Sequence, residues 1–230
     1  MSSDTKATAR RAGMLYFVMA ILMVVGFMYL PTLYSVPGDA SATARKIVAN
    51  EFLFRLGVVN AFAAQLLFIV VVLTLYRLFR DVDRPLARIM TALVCVGVAA
   101  ELATIGLKLA PTIILGGGDY WSTFTQPQLD TLAYGFLRIS ATLGRMLTMI
   151  WGLWLFPFGL LVIRSGFFPR ILGYLLMVAG AGYVISCTAF LLFPEQFALV
   201  NRFATPLYFG ELPIIFWMMI VGARPRPGTS

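Results

Sequence analysis

The sequence predicts an all-α fold: one domain, residues 1–230, of six membrane-spanning helices with both chain ends in the cytoplasm. Three observations carry that reading. Of the 230 residues, 60% are hydrophobic and only 12% charged, and the mean hydropathy is +0.87, whereas soluble domains run at roughly 45–50% apolar and about 25% charged. Six segments are apolar over close to the 20 or so residues that a crossing of roughly 30 Å of hydrocarbon requires. The basic residues crowd alternate connections, as the loops of an oriented membrane protein do. This composition excludes a soluble globular domain, a disordered chain and a nucleic-acid binder. The formal charge of +8 belongs to the loops and sets orientation.

The first span covers 13–30 and stops at Pro31. Lys6, Arg10 and Arg11 precede it, as they would a secretory signal, but the small-residue triplet at 40–42 lies too far beyond the apolar run for a cleavage site. A retained helix is expected. Residues 31–51 then form a long outer connection, in which 41–46 read as a short interfacial helix. The second span covers 52–78 and the third 87–109. Between 110 and 131 a triple glycine at 116–118 marks a flexible turn, and Tyr120 and Trp121 suit an interfacial aromatic belt. The fourth span, 132–163, would be about 48 Å long at 1.5 Å per residue, so a kink at Pro157 is expected. The fifth, 171–193, carries Gly173, Ala179, Gly180, Ala181, Gly182 and Ser186, small residues that let helices approach closely. The sixth covers 206–221. Six spans put eleven of the eighteen basic residues on one side, from Lys6 through Arg77, Arg80, Arg84, Arg88, Arg164 and Arg170 to Arg224 and Arg226.

Absent residue types narrow the chemistry. There is no histidine, which removes Ser-His and Cys-His catalysis and HExxH zinc sites. Cys95 and Cys187 lie far apart in different spans, so no metal cluster or disulfide is expected, and both read as small packing residues. No cofactor and no metal site is expected.

The informative feature is a set of polar and charged residues inside the spans: Arg55, Asn60 and Gln65 in the second, Glu101 and Lys108 in the third, Arg138 and Arg145 in the fourth, Glu211 in the sixth. A charge at mid-span costs about 2.5–3.5 kcal/mol on insertion scales and normally turns inward and pairs. Glu101 and Lys108 are seven apart and share a face, as do Arg138 and Arg145. Asn60 and Gln65 point about 140° apart. Depth places Glu101 about 21 Å from the cytoplasmic edge and Glu211 within about 10 Å of the other. Arg55, Asn60, Glu101, Lys108, Arg138, Arg145 and Glu211 are therefore the candidate ligand-binding residues of an outward-facing cavity. Glu101 would pair with Arg138 or Arg145, and Glu211 with a remaining cation. Two positive charges are left over unless Arg55 and Lys108 snorkel to the interface; if they do not, the surplus suits an anion bound by guanidinium groups. No catalytic residue is proposed, since no nucleophile has an evident base.

Three stretches also resemble the bacterial domain-of-unknown-function family 4386: SGFFPRILGYLLMVAGAGY over 165–183, FRLGV over 54–58 with LYRLFR over 75–80, and GEL over 210–212. The resemblance implies a multi-span inner-membrane protein without an established activity. It adds weight to Arg55 and Glu211, which fall on these motifs. Relatives often carry a histidine in the fourth span where this chain has Trp154.

The leading expectation is a protein of the bacterial inner membrane that binds or transports a small anionic or amphipathic molecule. Lipids are its surroundings and no nucleic acid is a partner. The alternatives are a non-catalytic subunit or sensor, paired with itself or a partner through the fifth helix, and a lipid-modifying enzyme.

Overall fold

The computed structural model describes residues 3–224; Arg226 of the basic tail lies outside them. Six helices are long and apolar enough to cross a membrane: Asp4–Tyr34, Glu51–Phe79, Arg84–Leu115, Gln126–Ser165, Arg170–Leu192 and Phe197–Ile220. Each overlaps one expected segment. The sixth starts at Phe197 rather than 206, because Asn201 and Arg202 lower its hydropathy without interrupting the helix.

Four of the six spans are broken. The first consists of α1 (Ser3–Val24), a π turn at Val25–Tyr29 and α2 (Leu30–Tyr34). In the π turn the Leu30 N–H donates to the Val25 carbonyl, five residues back. The interfacial helix expected at 41–46 is present as α3 (Ala40–Ala49), capped by Asp39, whose carboxylate accepts the Ala42 N–H at 2.8 Å. The second span is α4 (Glu51–Phe79), uninterrupted. The third divides at Leu109 into α5 (Arg84–Lys108) and α6 (Ala110–Leu115), since Pro111 has no N–H to return to the preceding turn. At the triple glycine, Gly117 and Gly118 adopt φ of +79° and +139°, values that only glycine takes without strain. The fourth span divides at Trp154 into α7 (Gln126–Leu153) and α8 (Leu155–Ser165), one turn before Pro157, where the kink was expected. The fifth is α9 (Arg170–Leu192), uninterrupted. The sixth is α10 (Phe197–Tyr208), a 3-10 turn at Phe209–Glu211 and α11 (Leu212–Ile220); Pro206 and Pro213 flank the turn.

The chain forms two compact units. Among the described residues, one gathers 3–19, Leu67–Val98 and 146–224; the other gathers Ala20–Leu66 and Ala99–Arg145. In the first unit the small residues of α9 make backbone-to-backbone contact. A Cβ on Gly159 would lie 2.6 Å from the Gly173 carbonyl oxygen, and one on Gly152 would lie 2.8 Å from that of Gly180. Any larger side chain would force α9 away. Gly182 and Ser186, which only the alternative of a partner-binding fifth helix would turn outward, are engaged within the chain: Gly182 packs on Leu207 and Ala204, and Ser186 donates to Asn201 at 2.7 Å. An aromatic core completes this unit, with Trp154 stacked on Phe158 at 5.3 Å and Phe68 edge-on to Trp154. Cys187 is buried and its Sγ donates to the Met146 carbonyl. Cys95, by contrast, is exposed, because α5 buries the neighbouring Val94, Gly97 and Val98 instead. In the second unit Leu30, Tyr34, Ile47, Phe54, Val58, Ala61 and Ile105 form the core.

Candidate functional site

The second unit contains six of the seven expected site residues, and it sorts them onto different surfaces. Glu101 faces inward from α5 and is 3% exposed. Its neighbours come from α5 and α7. Ser140 donates to the Thr104 carbonyl at 3.1 Å and draws the two helices together. Gly144 follows one turn later on α7, where a Cβ would lie 3.7 Å from Glu101 Oε1. Among the described residues, Oε2 of this carboxyl is buried with no hydrogen-bond partner. Lys108, two turns along α5, is close enough to attract the carboxyl electrostatically, and its ammonium also lies 5.8 Å from the centre of the Tyr34 ring, a cation–π distance.

Arg138 does not join this carboxyl as expected. The face of α7 that meets α5 is marked by Ser140 and Gly144. Arg138 and Arg145 lie about 160° and about 140° around the helix from Ser140 at 100° per residue, and both are exposed. Among the described residues, Arg138 makes no ion pair. The exposed stripe it occupies is polar along its length, with Thr131 and Thr142 above and below it. Gly135, on the same side, has open space where a Cβ would be. The sequence separations allowed Arg138 and Arg145 to share a face, which they do; they could not tell which face packs.

Arg55 and Asn60 also find local partners. Arg55 bonds Glu51 one turn back at 2.7 Å, and both side chains are about half exposed. It is an interfacial helix pair, and it does not face Glu101. Asn60 donates from Nδ2 to the Leu22 carbonyl at 2.9 Å, just ahead of the π turn. Gly26 makes room for it, since a Cβ there would lie 2.6 Å from Nδ2. A π turn disturbs the carbonyl ladder of its helix, and Asn60 supplies a donor at that point. Gln65 is buried, and its Oε1 has no partner among the described residues.

Glu211 belongs to the first unit. It ends the 3-10 turn that breaks the sixth span, and it pairs with tyrosines instead of a cation. Tyr16 of α1, 2% exposed, donates to Glu211 Oε2 at 2.6 Å, and Tyr183 of α9 interacts with the same carboxyl. Tyr183 in turn stacks on Tyr208 with ring centres 4.0 Å apart and planes 1° from parallel. Tyr208 and Ser186 both donate to Asn201 Oδ1, at 3.4 and 2.7 Å. The turn is pinned to α9 by Gly210, whose Cβ position would lie 2.5 Å from the Leu175 carbonyl oxygen. Tyr16, Tyr183, Tyr208 and Asn201 were not singled out from the sequence. A tyrosine in the middle of an apolar run is the signal that was available, because a buried phenol needs an acceptor.

Trp154 fills the break in the fourth span as an apolar plug, 2% exposed and 6.1 Å from the Tyr16 ring. Among the described residues, no group of three or more histidine, cysteine or acidic side chains could hold a metal ion.

The profile of the domain of unknown function DUF4386 covers residues 11–222. The chain belongs to the DUF4386 family. An uncharacterized protein from Archaeoglobus fulgidus is 33% identical over 76 residues, which is 33% of this chain and 44% of that relative; the chain thus matches less than half the length of this relative. No solved structure matches. The DUF4386 assignment makes this an integral membrane protein of an uncharacterised family.

Proposed function

We propose that this DUF4386 protein binds a small anionic amphiphile on the exposed face of its fourth span. The observation that carries the reading is the stripe of Thr131, Arg138, Thr142 and Arg145, exposed along α7. Two guanidinium groups seven residues apart are separated by about 10.5 Å of helix rise. Each would cost about 2.5–3.5 kcal/mol against lipid at mid-span, so the stripe calls for a polar or charged occupant. A carboxylate or phosphate head suits a guanidinium, which binds such oxygens in pairs. Exposed Ile139 borders the stripe and offers an apolar surface to a tail. Glu101 supports the reading by its position: it faces the opposite side of α7, and among the described residues Arg138 makes no ion pair. We further propose the bacterial cytoplasmic membrane as the location, with both termini cytoplasmic, on the strength of the basic residues in alternate connections.

The test is a thermal-shift titration of the purified protein in maltoside micelles with dodecyl phosphate, against a trimethylammonium amphiphile of equal chain length. Stabilisation by the phosphate alone, lost in Arg138→Gln, is the expected result. Equal response to both amphiphiles, or an Arg138→Gln protein that responds as the wild type does, would overturn the proposal.

A further inference from the structure

Glu101 takes no part in the anion stripe, and its surroundings show a separate use. The carboxyl is 3% exposed, its Oε2 has no hydrogen-bond partner among the described residues, and the residue sits in the interior of an apolar span. A buried polar atom is nearly always satisfied, and one that is not asks for an explanation. The hydroxyls close by are already committed: Thr104 donates to the Ala100 carbonyl at 3.1 Å, and Ser140 donates to the Thr104 carbonyl. Neither can turn to Oε2 without giving up its present acceptor.

The charged groups around Glu101 are few. Its own helix contributes Lys108, within electrostatic reach. Facing it from α7 are Ser140 and Gly144, which carry no charge, while Arg138 and Arg145 are turned to the exposed stripe. Two influences therefore oppose each other at the carboxyl. Low-dielectric surroundings penalise a bare charge, and the ammonium of Lys108 rewards one. Gly144 leaves the α7 backbone bare beside the carboxyl's other oxygen, Oε1.

We propose that Glu101 is a proton-exchange site within the third span, loading and releasing one proton at Oε2. The step is balanced simply: an O–H bond forms at Oε2 when a proton arrives from a hydronium, leaving water, and the reverse step returns it. The site stands apart from the anion stripe on α7, so either proposal can fail alone.

The experiment is infrared spectroscopy of the full-length protein in lipid, followed from acid to alkaline pH in light and heavy water. A protonated-carboxyl C=O band that disappears as the pH rises is expected in the wild type and in Glu211→Gln, and its loss is expected in Glu101→Gln. Should Glu101→Gln fail to fold, Glu101→Asp serves in its place, and the band should move in frequency. A titrating band that is the same in wild type and in the Glu101 variants would overturn the proposal. So would a Glu101 band that no pH abolishes, since that carboxyl would be a permanently neutral structural acid.

Discussion

Two glutamates inside the membrane-spanning helices have opposite surroundings. Glu211, in the first unit, sits on a helix break and is held by Tyr16 and Tyr183. Glu101, in the second unit, lies mid-helix with one oxygen that has no hydrogen-bond partner among the described residues. The difference shows what burial alone does not decide. A carboxyl whose lone pairs are taken by hydroxyl donors contributes to holding helices together, here α1, α9 and the turn before α11. A carboxyl with an empty oxygen contributes less to stability and remains available for chemistry. Both residues look alike in the sequence, as single acids in apolar runs, and only their partners separate them.

Substitutions can break or sharpen this contrast. The largest effect belongs to the frame that holds Glu211 in place. Gly173→Leu puts a side chain where the Gly159 carbonyl lies, and overpacking of this kind costs on the order of 3 kcal/mol. A steep fall in the yield of folded protein on size-exclusion chromatography is expected; a wild-type yield would mean that α8 and α9 are not in backbone contact. Next comes Tyr16→Phe, which removes a buried donor from Glu211. A loss of about 2 kcal/mol is expected from the unsatisfied carboxyl, read by denaturant unfolding in mixed micelles, and an unchanged midpoint would remove the distinction between the two glutamates. Glu101→Gln should change stability by less than about 1 kcal/mol, because the empty oxygen offers little to lose. A drop as large as that of Tyr16→Phe would show Glu101 to be held as tightly as Glu211. Smallest is Arg55→Ala, which deletes an exposed pair with Glu51 one turn away, worth about 0.3–0.5 kcal/mol. A melting curve within error of the wild type is the outcome foreseen, and a large shift would return Arg55 to the interior.

Much of the architecture was legible in the residues. Six apolar runs became six spans, the 41–46 segment became α3, and Pro157 marked the break at Trp154. Helix length and hydrophobicity are local properties, so the sequence carries them directly. The third span was expected to end at 109, and the short helix α6 beyond it was not expected, because Pro111 and the triple glycine made 110–131 read as a connection. The candidate site was legible only in part. Spacing placed Glu101 and Lys108 on one face and Arg138 and Arg145 on another, but the rotation of α7 against α5 depends on Ser140 and Gly144, which read as ordinary small residues. Arg55 was open to either the cavity or the interface, and its pair with Glu51, one turn back, puts it on the exposed side. Glu211 was matched to a cation because charges attract at long range, whereas tyrosine donors, which need only contact, were overlooked. The small residues of the fifth helix were rightly seen as a packing face, and the surface they meet lies within the same chain.

The rotation of α7 is the claim on which the rest depends, and cysteine accessibility measures it directly. In a background with Cys95 and Cys187 replaced by alanine, single cysteines at Arg138 and Ser140 are exposed to a water-soluble maleimide in proteoliposomes opened to both faces. The Arg138→Cys protein should label, while Ser140→Cys stays unreacted. Labelling of Ser140→Cys with Arg138→Cys inert would place the arginines inside and contradict the account.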